Sequence, residues 1–190
     1  MQKKALPDSS KPRGPVTGEG ADGENAHIKG DTKIEVAKSQ LVFSIRNLAT
    51  DVFFGIVFYS NDIEVWQPPP KMIQATPENK AQAIKWIEEI EAVGSTRTFD
   101  ALLQALAYAR DGGGANTIFL LSDGSPTVRG GGDLLVGDAL EAEYGAFLEQ
   151  NRIYKCVVHT IGVGRSQNRS LMRRIAKDGR GIYRSVGDGG

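Results

Sequence analysis

The segment Thr117-Ile118-Phe119-Leu120-Leu121-Ser122-Asp123-Gly124-Ser125-Pro126-Thr127 constrains this chain more than any other. An apolar run of this length with turn residues behind it reads as a buried strand, and it stops on an aspartate set against a glycine. In an open α/β sheet, ligands bind in the crevice outside the carboxyl ends of the parallel strands. A carboxylate at a strand tip therefore stands where it can serve chemistry or a metal ion. Taken alone, the same dipeptide is equally an ordinary turn, because Asp-Gly closes many strands.

The surrounding pattern decides what kind of sheet this is. Residues 1–31 are rich in Gly, Pro, Ser and charge and are expected to form a disordered arm or an insertion. At Thr32-Lys33-Ile34-Glu35 a capping box opens a helix with Ile34, Ala37, Leu41, Ile45 and Leu48 on one face. Val52 to Phe58 is almost continuously apolar, as suits a strand covered on both faces, and Ile63 to Trp66 alternates like the edge strand of a hairpin. Pro68-Pro69-Pro70 is expected to stop the sheet. Thr76-Pro77-Glu78 starts a second helix that Gly94 should end, and a third runs from Thr98 to the Gly112-Gly113-Gly114 stretch. Beyond Asp123, Leu140, Tyr144, Phe147 and Leu148 mark a helix and Cys156 to Ile161 a strand. Ser170 to Lys177 reads as a last helix stopped by Gly179, and Ile182 to Val186 as a last strand. Strands separated by helices predict a doubly wound, mainly parallel α/β sheet with helices on both faces.

Composition narrows the function classes. With 23 basic and 23 acidic side chains in 190 residues the net charge is zero, so no overall field steers the chain toward nucleic acid or an acidic membrane, and binding must come from a local site. The single Cys156 excludes an internal disulfide framework. No apolar run approaches the roughly 18 residues of a membrane span, and Met1 to Ser10 contains no signal-peptide core. Export is expected only if the true start lies further upstream.

Catalytic motifs were weighed against their spacing. No GxxxxGK[ST] occurs. Gly162-Val163-Gly164 follows a strand and precedes a helix, yet Gln167 stands where a dinucleotide fingerprint has its third glycine, and turn glycines explain it as well. Pro126 is incompatible with a nucleophile elbow at Ser125. Cys156 and His159 lie three apart on a strand and point to opposite faces, so core packing is favoured over a shared metal. The basic run from Arg165 to Arg184 lacks interleaved aromatics and reads as a solvated helix face.

A second segment gives Asp123 a role. Gly94-Ser95-Thr96-Arg97-Thr98-Phe99-Asp100-Ala101-Leu102 precedes the helix that leads into the Asp123 strand, and the two together resemble the von Willebrand factor type A family. The resemblance continues through Lys33 to Lys38, Phe54 to Ser60, Thr76 to Asn79 and His159 to Gly164, and covers residues 32–187 in the family's order. It implies a metal-ion-dependent adhesion site to which Thr96 supplies a hydroxyl and Asp123 a carboxylate, with Arg97, Ser125 and Thr127 forming a rim that a partner touches. Hydroxyl and carboxylate oxygens suit Mg²⁺ or Mn²⁺. A magnesium ion keeps several waters, one of which an Asp or Glu of a protein ligand can replace. The implied molecule is a non-enzymatic protein-interaction module. Two alternatives stand beside it: a metal-independent structural or assembly module of the same fold, and a nucleotide- or phosphate-handling enzyme working through Gly162 to Gly164.

The chain departs from the family at one place. The family's principal metal motif, Asp-x-Ser-x-Ser at the end of a first apolar strand, is missing, and Asp8-Ser9-Ser10-Lys11-Pro12 does not replace it. In family topology that strand is the central one, between the strand near Val52 to Phe58 and the strand ending at Asp123. The domain is thus expected to lack its central strand and to hold metal weakly or not at all. Met1 is expected to be an internal residue of a chain extending upstream, with residues 2–31 an insertion on the metal-bearing face.

Overall fold

The computed structural model describes residues 33–91, 94–110, 114–122, 125–129, 132–164 and 167–186. Thr32, the expected arm, Asp123, Gly124 and the glycines at 112, 113, 130 and 131 lie outside the described residues. The elements run α1 (Lys33–Arg46), β1 (Phe53–Phe54), β2 (Val57–Tyr59), β3 (Ile63–Val65), β4 (Ile73–Gln74), α2 (Pro77–Glu89), α3 (Thr98–Arg110), β5 (Thr117–Ser122), α4 (Gly137–Tyr154), β6 (Val157–Val163), α5 (Arg169–Asp178) and β7 (Arg180–Val186).

The parallel part of the fold is the sheet β5-β6-β7, with Thr117 opposite Val157 and Ser122 opposite Gly162. Helix α3 leads into β5, α4 links β5 to β6, and α5 links β6 to β7, which is the alternation that parallel pairing requires. Phe99, Leu102 and Leu106 of α3 pack with Ile118 and Leu120 of β5, with Tyr144 and Phe147 of α4, and with Leu171, Met172 and Ile175 of α5. Each large apolar side chain buried in this way contributes about 1.5–3 kcal/mol before the entropy of ordering is counted. A second core gathers Ile45 of α1, Phe54 of β1, Trp66, Ala75, and Ala83 and Ile87 of α2, with the Phe54 and Trp66 rings stacked at 5.2 Å.

Among the described residues no strand pairing joins the two halves. β2 bonds to β3 and β1 to β4, both antiparallel, and neither pair joins β5 among the described residues. The Tyr59 hydroxyl instead spans the gap, donating to the Leu121 carbonyl at 2.8 Å. This is the place where the resemblance puts a central strand.

Several local expectations need correction. The Val52 to Phe58 run is two short strands broken at Gly55-Ile56, where the Tyr108 ring lies against Gly55 and its hydroxyl donates to the Ile56 carbonyl at 3.2 Å. The three prolines do not end the sheet, since β4 follows them and returns to β1. Helix α2 stops at Glu89 with Ile90 extended, short of Gly94. β5 is covered on one face only: Ile118, Leu120 and Ser122 are buried, whereas Phe119 is 63% exposed and stacks on His159 at 4.9 Å. Gly179 does end α5, its N–H bonding the Ile175 carbonyl, but the left-handed residue is Arg180. The α5 basic face also meets aromatic rings, with Arg173 over Tyr183 and Arg174 over Tyr144 at 4.1 Å. Those tyrosines come from β7 and α4, so spacing within the basic run could not reveal them.

Candidate functional site

The loop ahead of α3 is built by its neighbours. Gly94 takes a φ of +87°, which a side chain would resist, and a Cβ there would lie 2.3 Å from the Asn61 side-chain oxygen. That oxygen accepts from the Ser95 N–H at 2.8 Å and from the Ser95 hydroxyl at 2.8 Å, so the β2–β3 turn clamps the loop. The Ala101 N–H then donates to the Arg97 carbonyl at 3.1 Å and starts the helix.

Thr96 is tied to the segment that follows β5. Its N–H donates to the Thr127 hydroxyl at 2.8 Å, and the Thr127 N–H donates to the Thr96 carbonyl at 3.0 Å. Thr127 is itself fixed by a short antiparallel bridge to Leu134, with the Leu135 N–H on the Pro126 carbonyl at 2.8 Å. Among the described residues the Thr96 hydroxyl has no hydrogen-bond partner. Nor does the Thr98 hydroxyl, although Thr98 is only 2% exposed. A buried hydroxyl without a partner normally costs about 1–3 kcal/mol, so a second polar group is called for here.

Of the other residues expected at the site, Asp123 lies outside the described residues. Ser125 accepts from the Asn168 side-chain amide at 3.2 Å, which links it to the N-cap of α5. Arg97 is turned inward: its Nε donates to Asp100 at 2.8 Å and its Nη1 to the Asn61 carbonyl at 3.1 Å. The guanidinium that faces outward is Arg129, which also grips Asp100, its Nε at 3.1 Å from one oxygen and its Nη2 on the other. Sequence reasoning passed over Asp100 and Arg129. The spacing of Arg97 and Asp100 at i and i+3 on a helix start was the available signal for the first, and a glycine-rich loop gave none for the second.

Metal chemistry was tested against these donors. Hydroxyl oxygens are hard ligands acceptable to Mg²⁺, but they are neutral, and among the described residues no group of three His, Cys, Asp or Glu side chains converges. At the other candidate, Gln167 fills the room beside Gly162: its side-chain oxygen would lie 1.5 Å from a Cβ on that glycine. The Gln167 amide donates to the Gly164 carbonyl at 2.7 Å and to Ser185 at 2.8 Å, while Tyr183 donates to its oxygen at 2.7 Å. A phosphate has no space to approach the Gly162 backbone while that side chain is in place. Cys156 is buried with its thiol pKa raised by desolvation, and it bonds the Ala115 carbonyl at 3.4 Å.

A parallel α/β sheet with crossover helices, and a hydroxyl-bearing loop anchored beside the carboxyl end of β5, define a doubly wound domain with its candidate site at the strand tips. The chain belongs to the von Willebrand factor type A domain family, which residues 24–185 match. It is 23% identical over 154 residues to bovine inter-alpha-trypsin inhibitor heavy chain H3, covering 81% of this chain and 17% of that one. It is 25% identical over 166 residues to mouse inter alpha-trypsin inhibitor, heavy chain 4, covering 81% of this chain and 16% of the relative. The chain therefore spans about a sixth of the length of these relatives. Among solved structures, a von Willebrand factor type A protein from Catenulispora acidiphila superposes with a TM-score of 0.69 at 21% identity, over 83% of this chain and 35% of that one, which establishes the fold. No helix among the described residues is long and apolar enough to cross a membrane.

Proposed function

We propose that this chain is a protein-interaction module, not an enzyme, and that it engages a protein partner through the face carrying Thr96. The observation that carries this reading is the paired Thr96–Thr127 bonding, which holds the loop ahead of α3 against the segment after β5 while, among the described residues, the Thr96 hydroxyl has no partner. Without an Asp-x-Ser-x-Ser motif beside them, Thr96 and Asp123 would hold a Mg²⁺ or Mn²⁺ ion only weakly. When bound, such an ion supplies a coordination position for a carboxylate of the partner. This chain's own part is to fix the hydroxyl and to present Ser125 and Thr127 at its rim.

A metal-independent module is the second reading. It is favoured by Asp100, the carboxylate nearest in sequence to Thr96, being already neutralised by two guanidiniums.

Thermal melting with added Mn²⁺ separates the readings. At a tenfold excess over the dissociation constant, an ion that binds only the folded state adds about 1.4 kcal/mol, which raises the Tm by roughly 3–5 °C. The metal reading expects that rise and its loss in Thr96→Val. A rise of equal size in Thr96→Val would contradict it, and no rise in either protein would leave the metal-independent module.

A further inference from the structure

Beside the Thr96 loop lies a surface cleft of about 410 Å³, formed by the β3 hairpin, α3 and the segment after β5. Its lining combines an apolar part, Ile63, Pro70, Leu103 and Ala107, with Gln104 and a charged end made by Arg97, Asp100 and Arg129. We infer that this cleft is a recognition subsite for a protein segment carrying a glutamate or aspartate next to an apolar residue, with Arg129 receiving the carboxylate. The inference deepens the proposed partner-binding reading and rests on it only for the location of the partner.

The charged end is asymmetric in a way that selects the ligand. Asp100 is 11% exposed and is held by two guanidiniums, so two positive charges face one negative charge. Arg97 is 21% exposed and spends its donors on Asp100 and the Asn61 carbonyl, so it serves to fix the carboxylate. Arg129 is 67% exposed. Asp100 occupies its Nε and Nη2, and among the described residues Nη1 has no partner. A guanidinium has five N–H donors in a fixed fork, so Arg129 is both oriented by Asp100 and open to a second acceptor.

The surroundings set the class of that acceptor. Asp100 stands directly behind Arg129 and Glu143 acts on it at longer range, so a doubly charged phosphate meets about twice the repulsion that a single carboxylate does. The apolar part beside the fork suits the neighbouring side chain of a peptide, and among the described residues no aromatic side chain lines the cleft to stack on a nucleobase.

The test uses the full 190-residue chain, ¹⁵N-labelled, with four probes: a blocked pentapeptide holding one glutamate between two leucines, its glutamine counterpart, inorganic phosphate and a short single-stranded oligonucleotide. The glutamate peptide should shift the Arg129 Nε–H resonance and the Ile63 and Leu103 amides, and bind about five-fold tighter than the glutamine peptide, the increment of one exposed charge pair. Arg129→Gln should remove that preference without lowering the Tm, and Arg129→Lys should restore part of it. Thr96→Val should leave it intact, so failure of the metal reading in Mn²⁺ melting would not touch this result. Equal binding of the two peptides, binding of neither, unchanged selectivity in Arg129→Gln, or stronger displacement of the same resonances by phosphate or oligonucleotide would each overturn the inference.

Discussion

Thr96 and Thr127 hold each other by two hydrogen bonds, one through the Thr127 hydroxyl and one through backbone alone. Only the first depends on side-chain chemistry, so it can be removed without changing shape. Thr127→Val is expected to leave the partly buried Thr96 N–H unsatisfied and to cost about 1–2 kcal/mol in urea unfolding, whereas Thr127→Ser should cost less than half as much. A valine variant as stable as the parent would show that the latch contributes nothing to the fold.

Gln167 and Gly162 form a second coupled pair. A methyl group on Gly162 must displace the Gln167 side chain and with it the bonds to Gly164, Ser185 and Tyr183. Gly162→Ala is expected to destabilise by about 1–3 kcal/mol, and so is Gln167→Ala, which opens the same network. The double variant should cost little more than Gln167→Ala alone, because the clash has gone. Strict additivity in a double-mutant cycle would rule out the contact.

The buried phenols set an alkaline limit. Burial pushes the Tyr108 pKa up to about 12, and burial reinforced by Asp178 raises Tyr144 as well. The folded state therefore holds these protons more tightly than the unfolded chain. The stability this gives is complete below pH 10, the ordinary phenol value, and is lost as pH rises from there through about 12. Tyr108→Phe should be less stable than the parent at pH 8, by about 1 kcal/mol for the lost hydrogen bond, and the gap should narrow by pH 11.5. A gap that stays constant across this range would exclude Tyr108 as a contributor.

Phe119 is an exposed aromatic on a strand paired on one side only among the described residues. Such edges seed association between copies. Size-exclusion chromatography over a hundredfold concentration range should show self-association of the parent chain that Phe119→Lys reduces, with stability changed by less than about 1 kcal/mol because the ring is already in water. Identical elution of the two proteins at every concentration would refute this.

The alternation of helices and strands was legible because apolar residues recur at helical spacing in the helices and run on almost unbroken in the strands between them. Thr76 accepts from Asn79, as the Thr76-Pro77-Glu78 start predicts, whereas the Asn168 cap that accepts from Leu171 was not expected. What escaped was set by distant residues. β4 is two residues long and exists through its pairing with β1, and the break at Gly55 follows from the Tyr108 ring more than fifty positions away. Phe119 looked like a core residue because an apolar run does not reveal which of its faces another layer covers. Ahead of α3, the loop that carries Thr96 could be located from its Gly94-Ser95-Thr96 run. The inward turn of Arg97 and the outward Arg129 depend on where Asp100 sits after α3 has docked.

The central claim is that the Thr96 face is where a divalent ion, and with it a partner, is received. Stepwise addition of Mn²⁺ to the ¹⁵N-labelled chain tests it most directly, because paramagnetic broadening marks the nearest amides even when affinity is low. The amides of Thr96 to Thr98 and those of Ser125 and Thr127 should broaden first, and Thr96→Val should abolish that order. Broadening that begins at other acids, such as Glu88 and Glu89, or that keeps the same order in Thr96→Val, would contradict the claim.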